Sequence, residues 1–393
     1  MTDPDALLAL IDENEAVQVA SDLVSIPSIT TSEGDGVATF LKRWFDDLAI
    51  PTRLYPADAQ RANFFADYGA IQGPGRYLVN GHQDVKPVVG MTIEPFNPTL
   101  RDGRLYGRGS CDMKGGIAAV LCAFKALVRA GKQPEGGISF FSDIEEEYGG
   151  HGGYLWAQRE GLLDGYAGFI SCEPSGLEIQ IGNRGCYVTC FETQGRSAHS
   201  GLAHLGVNAV QHMAVFITEF LKLPYLDVEN SYFGKPSANF ERIAGGLYLS
   251  AVPDRCIACL DSRIIPETPP ELVQQQVEAL MLRLKRDQGI TVCEVSEPED
   301  WRPEAHKERA EAIPADHQLT ERMAQALVQS TGMEARIGGC PGMTMAGMMI
   351  AMGTPAIICG PGALAQAHTE DEWIEVGQIL QAARAYTALM AAM

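Results

Sequence analysis

The chain has 393 residues, with 30 Lys+Arg against 50 Asp+Glu, and a formal charge of −20 excludes nucleic acid and anionic membrane surfaces as partners in the absence of a basic patch. With 46% hydrophobic and 20% charged residues it is neither collagen-like, coiled-coil nor largely disordered, and at roughly 100–200 residues per domain it should hold two domains or three. The acidic start Thr2-Asp3-Pro4-Asp5 lacks the basic-then-apolar layout of an export signal, so a cytoplasmic location is expected.

Along the first half, short apolar runs alternate with helical patterns, which predicts an α/β domain with a mostly parallel sheet flanked by helices. Tyr77-Leu78-Val79-Asn80 runs into Gly81-His82-Gln83-Asp84. Asp112 follows the turn Gly107-Arg108-Gly109-Ser110-Cys111 and precedes a helix with apolar residues Ile117, Val120, Leu121, Phe124, Leu127 and Val128, closed by Gly131. Ile138-Ser139-Phe140-Phe141 leads to Asp143 and Glu145-Glu146-Glu147, and Gly168-Phe169-Ile170 leads to Cys172-Glu173-Pro174. Residues 183–298 then read as an inserted α+β domain, with strands at Cys186–Phe191, Ala238–Ile243 and Cys256–Leu260 and helices at Asn208–Leu223 and Pro270–Lys285. Residues 1–182 and 299–393 make up the split remainder. No Asp, Glu, Lys or Arg occurs from Ile337 to Thr369, but Gly339, Pro341, Gly342, Gly353, Pro355 and Gly360 interrupt that stretch. A buried helix followed by a buried strand, ending near His368, is expected there rather than a membrane span. Cys256 and Cys259 would face opposite sides of an alternating strand, and both are expected to be reduced structural thiols.

Ligands of open α/β sheets bind outside the carboxyl ends of the strands, so these polar strand ends suggest one shared crevice. His82, Asp112, Glu147, Glu173 and His368 offer two imidazoles and three carboxylates, a set suited to zinc or a similar divalent ion. Five ligands exceed what one tetrahedral ion needs. If Asp112 bridges two ions, each gains one His and one Glu, with room for a shared water whose pKa falls to about 7. Asp84, two residues beyond His82, would orient its imidazole, and Glu146 would serve as general base. Taken singly, each signal has an ordinary reading: a surface His-Asp pair, a solvated glutamate run, a turn before Pro174, an acidic surface around His368.

Their joint order resembles one metallohydrolase family, which contains acetylornithine deacetylase, succinyl-diaminopimelate desuccinylase, aminoacylase-1 and bacterial glutamate carboxypeptidases. The resemblance rests on Gly81-His82-Gln83-Asp84, Gly107 to Gly116, Glu145-Glu146-Glu147-Tyr148-Gly149-Gly150, Cys172-Glu173-Pro174 and Gly360-Pro361-Gly362 through His368, and covers nearly the whole chain. It implies a zinc-peptidase-like catalytic domain with an inserted lid or dimerisation domain, two zinc ions per chain, with cobalt or manganese as substitutes, and a cis peptide after Asp112. By resemblance, His82, Asp112 and Glu173 hold one ion, Asp112, Glu147 and His368 the other, with Glu146 as base. Gly195-Arg196-Ser197-Ala198-His199-Ser200 resembles the family's segment in which a histidine reaches the neighbouring subunit's site, so His199 would stabilise the oxyanion across a homodimer. Asn239 and Arg263 fall where relatives bind substrate; Arg263 equally fits an ion pair with Asp261.

Ser250, Ala203 and the non-acidic loop 340–345 depart from the family pattern and bear on the substrate. Glu173 in place of His argues against the branch that hydrolyses N-carbamoyl groups. The segment from Cys359 to His368, with Asp371-Glu372 after it, most resembles acetylornithine deacetylase, so the expected reaction is hydrolysis of the amide of an N-acyl amino acid, with a desuccinylase or a dipeptidase as the alternative. A metal-dependent binding protein without turnover is the remote alternative. Gly360-Pro361-Gly362-Ala363-Leu364-Ala365 loosely matches a dinucleotide fingerprint, but too little chain follows for a ribose-binding unit.

Overall fold

The computed structural model describes residues 4–32, 34–69, 75–295 and 306–393. Two compact units emerge: Met1–Gly182 with Ile313–Gly338 and Thr344–Met393, and Asn183–Ala312 with Gly339–Met343. The expected boundary at 298/299 lies outside the described residues.

The first unit is built on a nine-stranded mixed sheet. At its centre Ile138–Ser142, Tyr77–Asn80, Gly168–Pro174 and Ala356–Gly360 run parallel in that order. Each is buried nearly throughout, which is why these strands read as continuous apolar runs rather than alternating ones. Beside this parallel centre the flanking strands are antiparallel. Thr52–Pro56 and Ala62–Tyr68 pair antiparallel, as a connection this short requires, and Asp58 shapes the turn by accepting from the amides of Gln60 and Arg61. Their half-exposed outer strand carries little apolar signal.

Helix Gly115–Arg129 is nearly all buried and packs on Val376–Ala391. Gly116 is required there, because a Cβ would lie 2.5 Å from the Cys172 carbonyl oxygen. Gly360 meets the same strand from the other side, where a Cβ would lie 2.1 Å from Cys172 O and 2.4 Å from Glu173 O. The charge-free stretch is a strand Ile337–Cys340, a short helix Met345–Ala351 and the buried strand Ala356–Gly360. Among the described residues no helix is long and apolar enough to cross a membrane.

The second unit carries a five-stranded sheet in which Ser237–Gly245, Arg255–Ile264, Gly185–Gln194 and Val292–Val295 lie side by side, all antiparallel, with His306–Glu308 also paired to Gly185–Gln194. Tyr187, Phe191, Cys256, Ala258 and Leu260 point to one face, where Met213, Phe216 and Phe220 of helix Ala209–Phe220 and Val273, Val277 and Leu280 of helix Pro270–Gln288 cover them. Asn208 starts the first of these helices by accepting from the Gln211 amide, and Gly289 ends the second with φ 68°. Cys256 and Cys259 do face opposite ways, but Cys259 is not a free thiol. It stands directly across from Cys190, with Cα atoms 4.1 Å apart, and the two form a disulfide. The expectation considered only spacing along one strand, whereas the partner came from the neighbouring strand.

Candidate metal centre

The carboxyl ends of the four parallel strands deliver the predicted residues to one place. His82 follows Tyr77–Asn80, Glu146 and Glu147 follow Ile138–Ser142, and Glu173 ends Gly168–Pro174. His368 arrives beyond Ala356–Gly360, with its backbone at φ 65°. Asp112 comes from the turn ahead of helix Gly115–Arg129, and the peptide bond after it is cis, as the resemblance implies.

The spacing is that of ligand atoms around cations. His82 Nε2 lies 3.1 Å from Asp112 Oδ1 and 3.7 Å from Glu173 Oε1. His368 Nε2 lies 3.2 Å from Asp112 Oδ2 and 3.1 Å from Glu147 Oε1. With metal–ligand bonds of about 2.0–2.1 Å, the edge of a coordination tetrahedron is roughly 3.3 Å, so these separations fit. Asp112 turns one oxygen to each imidazole, as a bridging carboxylate must. One ligand atom from each of His82, Asp112 and Glu147 lies within 4.8 Å of the others, and so do atoms of His82, Glu146 and Glu173.

Asp84 organises this group from behind. Its backbone carbonyl accepts from His82 Nδ1 at 2.9 Å, which leaves the lone pair of Nε2 facing the centre, free for a cation. Its carboxylate accepts from the amides of Glu146 and Glu147, each at 3.1 Å, and from the Thr30 hydroxyl at 2.9 Å. His82 and the glutamate turn are therefore held by one buried residue.

The electrostatics describe a site crowded with negative charge. Burial pushes the Glu146 carboxyl up to about 8 against the pull of His82, with Glu147, Asp84 and Asp112 adding to the rise. Burial and Asp112 raise Glu173 well above the usual carboxylate range. Hydrogen bonds that His368 donates to the Asp112 and Glu147 carboxylates lift it to about 9. His82 rises despite its burial, because Glu173, Asp112 and Asp84 surround it. Asp112 is held below the usual range, because the two imidazoles outweigh its burial. Carboxylates that share protons with imidazoles in this way are suited to sharing dications instead.

Four further residues, to which the sequence assigned no role, lie in the segments that carry this group. Lys86 donates to the Glu147 backbone carbonyl at 2.8 Å and lies 3.0 Å from its Oε2, so Glu147 keeps Oε1 for His368. Lys114 is fully buried and donates to Ile26 O at 2.7 Å. Glu372 and Arg108 hold the Asp112 turn. Glu372 entered the sequence reading only as part of Asp371-Glu372, in the segment that carries the resemblance after His368, and without a role of its own.

His199, Asn239 and Arg263 belong to the second unit. His199 is exposed and accepts from the Gly201 amide at 3.0 Å. Asn239 is exposed in strand Ser237–Gly245. Arg263 Nη2 bonds Asp261 Oδ2 at 2.8 Å, the ion pair that the sequence allowed as its second reading.

Comparison with known proteins adds four findings. The model of peptidase family M20/M25/M40 matches residues 78–392. A probable succinyl-diaminopimelate desuccinylase of Staphylococcus aureus is 25% identical over 410 residues, covering 95% of this chain and 96% of that protein. Among solved structures, the aminopeptidase PepT of Bacillus cereus matches with a TM-score of 0.79 at 20% identity over 98% of this chain and 99% of that one. A tripeptidase of S. aureus matches at 0.78, also with 20% identity, over 98% and 100%.

Proposed function

Since the chain belongs to peptidase family M20/M25/M40, we propose that this hydrolase cleaves the linear amide of a small N-acyl amino acid, of the N-acetylornithine kind, with two divalent ions, zinc by preference, and Glu146 as its general base. The observation that carries the reading is the meeting of His82, Asp112, Glu147, Glu173 and His368 at tetrahedral-edge spacing with Glu146 beside them.

In this reading His82, Asp112 and Glu173 would hold one ion, and Asp112, Glu147 and His368 the other. The ions, when bound, acidify a water and polarise the amide carbonyl. Glu146 takes the proton of the attacking water on its carboxylate and passes it to the leaving amine nitrogen. Asp84 keeps the His82 ring turned so that Nε2 faces the centre. His199 of a second copy donates to the oxygen on which charge builds, and Asn239 and Arg263 contact the substrate, its carboxylate being the natural partner of the guanidinium.

Dimerisation of this kind is supported by the second unit. Among the described residues, strand Ser237–Gly245 is the edge of its sheet, paired on one side only, and Leu247, Tyr248 and Leu249 just beyond it are 88%, 78% and 98% exposed.

A second reading is an N-succinyl-diaminopimelate substrate, which the name of the S. aureus relative favours. Amine release from N-acetylornithine, N-succinyl-diaminopimelate and a dipeptide, each with zinc, cobalt and manganese, separates the readings. Glu146→Gln should lower turnover of whichever substrate is cleaved by about 10²–10⁴-fold while two ions per chain remain bound. Unchanged turnover in that variant removes Glu146 from its role.

A further inference from the structure

Glu372 is 1% exposed, and its carboxylate is fully engaged. Oε1 accepts from the amides of Cys111 at 2.9 Å and Asp112 at 3.0 Å. Oε2 accepts from the Gly109 amide at 3.0 Å and from Arg108 Nη1 at 2.8 Å. Its backbone carbonyl accepts from the Gly107 amide at 3.0 Å. Gly107 and Gly109 adopt φ of 151° and 80°, and the backbone N–H groups of this turn converge on Glu372 as on an anion. Arg108 extends the arrangement, since its Nη2 donates to Pro87 O at 3.3 Å, in the segment that follows His82.

Every group facing this side chain is a donor, so only a carboxylate satisfies them all. An amide would set its own N–H against a backbone N–H and lose the charge that strengthens these bonds. The consequence lies at Asp112, whose backbone is fixed at its own nitrogen while its two oxygens face His82 and His368. Glu372 stands four residues after His368 and pins that segment to the Asp112 turn.

We propose that Glu372 is the positioning residue of the metal pair, a buried carboxylate that clamps the Gly107–Asp112 turn so that Asp112 presents one oxygen to each ion. This rests on the two-ion reading given above. Glu372 itself touches neither substrate nor ion.

The test uses the full chain in its cobalt form, with ions per chain, cobalt affinity and the visible absorption spectrum as readouts beside turnover. Glu372→Gln should lower cobalt affinity about 10–100-fold, the range for groups that orient metal ligands, and change the spectrum. Glu372→Asp, which restores the charge on a shorter arm, should recover part of both. A folded Glu372→Gln chain with two ions, wild-type affinity and an unchanged spectrum overturns the proposal, even if its thermal unfolding is lowered. Should Glu372→Gln not fold, Arg108→Gln removes one of the four bonds to the carboxylate and should shift the spectrum in the same direction; wild-type affinity and spectrum in that variant overturn the proposal. A wild-type chain that takes up no divalent ion overturns the metal reading, and the clamp with it, and is seen before any variant is made.

Discussion

Asp84 shows how one side chain can tie two parts of a site together. Its carboxylate carries the amides of both Glu146 and Glu147, and its carbonyl carries the His82 ring. Asp84→Asn is therefore expected to weaken divalent-metal binding about 10–100-fold, measured by competition with a chromophoric chelator. Thr30→Val, which removes one of three hydrogen bonds to that carboxylate and leaves its charge, should have a smaller effect in the same assay. The residues that meet at the centre were legible by their joint order, since they lie at or beyond the ends of apolar strands or after a glycine turn. Lys86, Lys114, Arg108 and Glu372 were not. Their partners are mostly backbone groups or side chains brought near only by the fold, and no spacing along the chain marks such a contact.

At the level of elements, the central strands and the helices of the second unit follow from apolar patterning, whereas the antiparallel flanks and the disulfide do not. A half-exposed edge strand such as Thr52–Pro56 has too few apolar residues to announce itself, and a cross-strand thiol pair depends on register, which one strand read alone does not contain. The disulfide closes a separation of 69 residues and should contribute roughly 2–4 kcal/mol to the second unit. Urea unfolding with and without dithiothreitol should show that loss. An unchanged midpoint would mean that Cys190 and Cys259 are unpaired in solution. Strand Val292–Val295 offers a pH test. Burial opposes ionisation of Glu294, but Lys307 at 2.6 Å, Thr189 at 2.6 Å and Gln274 outweigh it and hold its carboxyl below the usual range. A carboxyl lowered in the folded state contributes stability above its unfolded pKa, near 4.3, and loses it as pH falls through the folded value. Glu294→Gln should therefore lower stability at neutral pH and flatten the acid limb of a plot of unfolding free energy against pH.

For the molecule as a whole, the interrupted first unit was legible because two groups of polar strand ends made chemical sense only together. The extent of the insertion was harder to read, since a unit that continues to Ala312 and takes in Gly339–Met343 is delimited by spatial contacts, not by composition. The proposed dimer makes its own prediction. Mixed and exchanged, inactive His199→Ala and Glu146→Ala chains should recover about a quarter of wild-type activity, because half of the pairs are hybrids and each hybrid holds one intact site. Absence of recovery after proven exchange would rule out action of His199 across the dimer. The interruption also imposes a timetable on biosynthesis. Glu173 leaves the ribosome 195 residues before His368 (368 − 173), so at about 5–20 residues per second the nascent polypeptide carries an incomplete cage for roughly 10–40 seconds. In the two-ion reading, the second position would be completed only when translation has nearly finished, so cation uptake there would be a maturation step after synthesis.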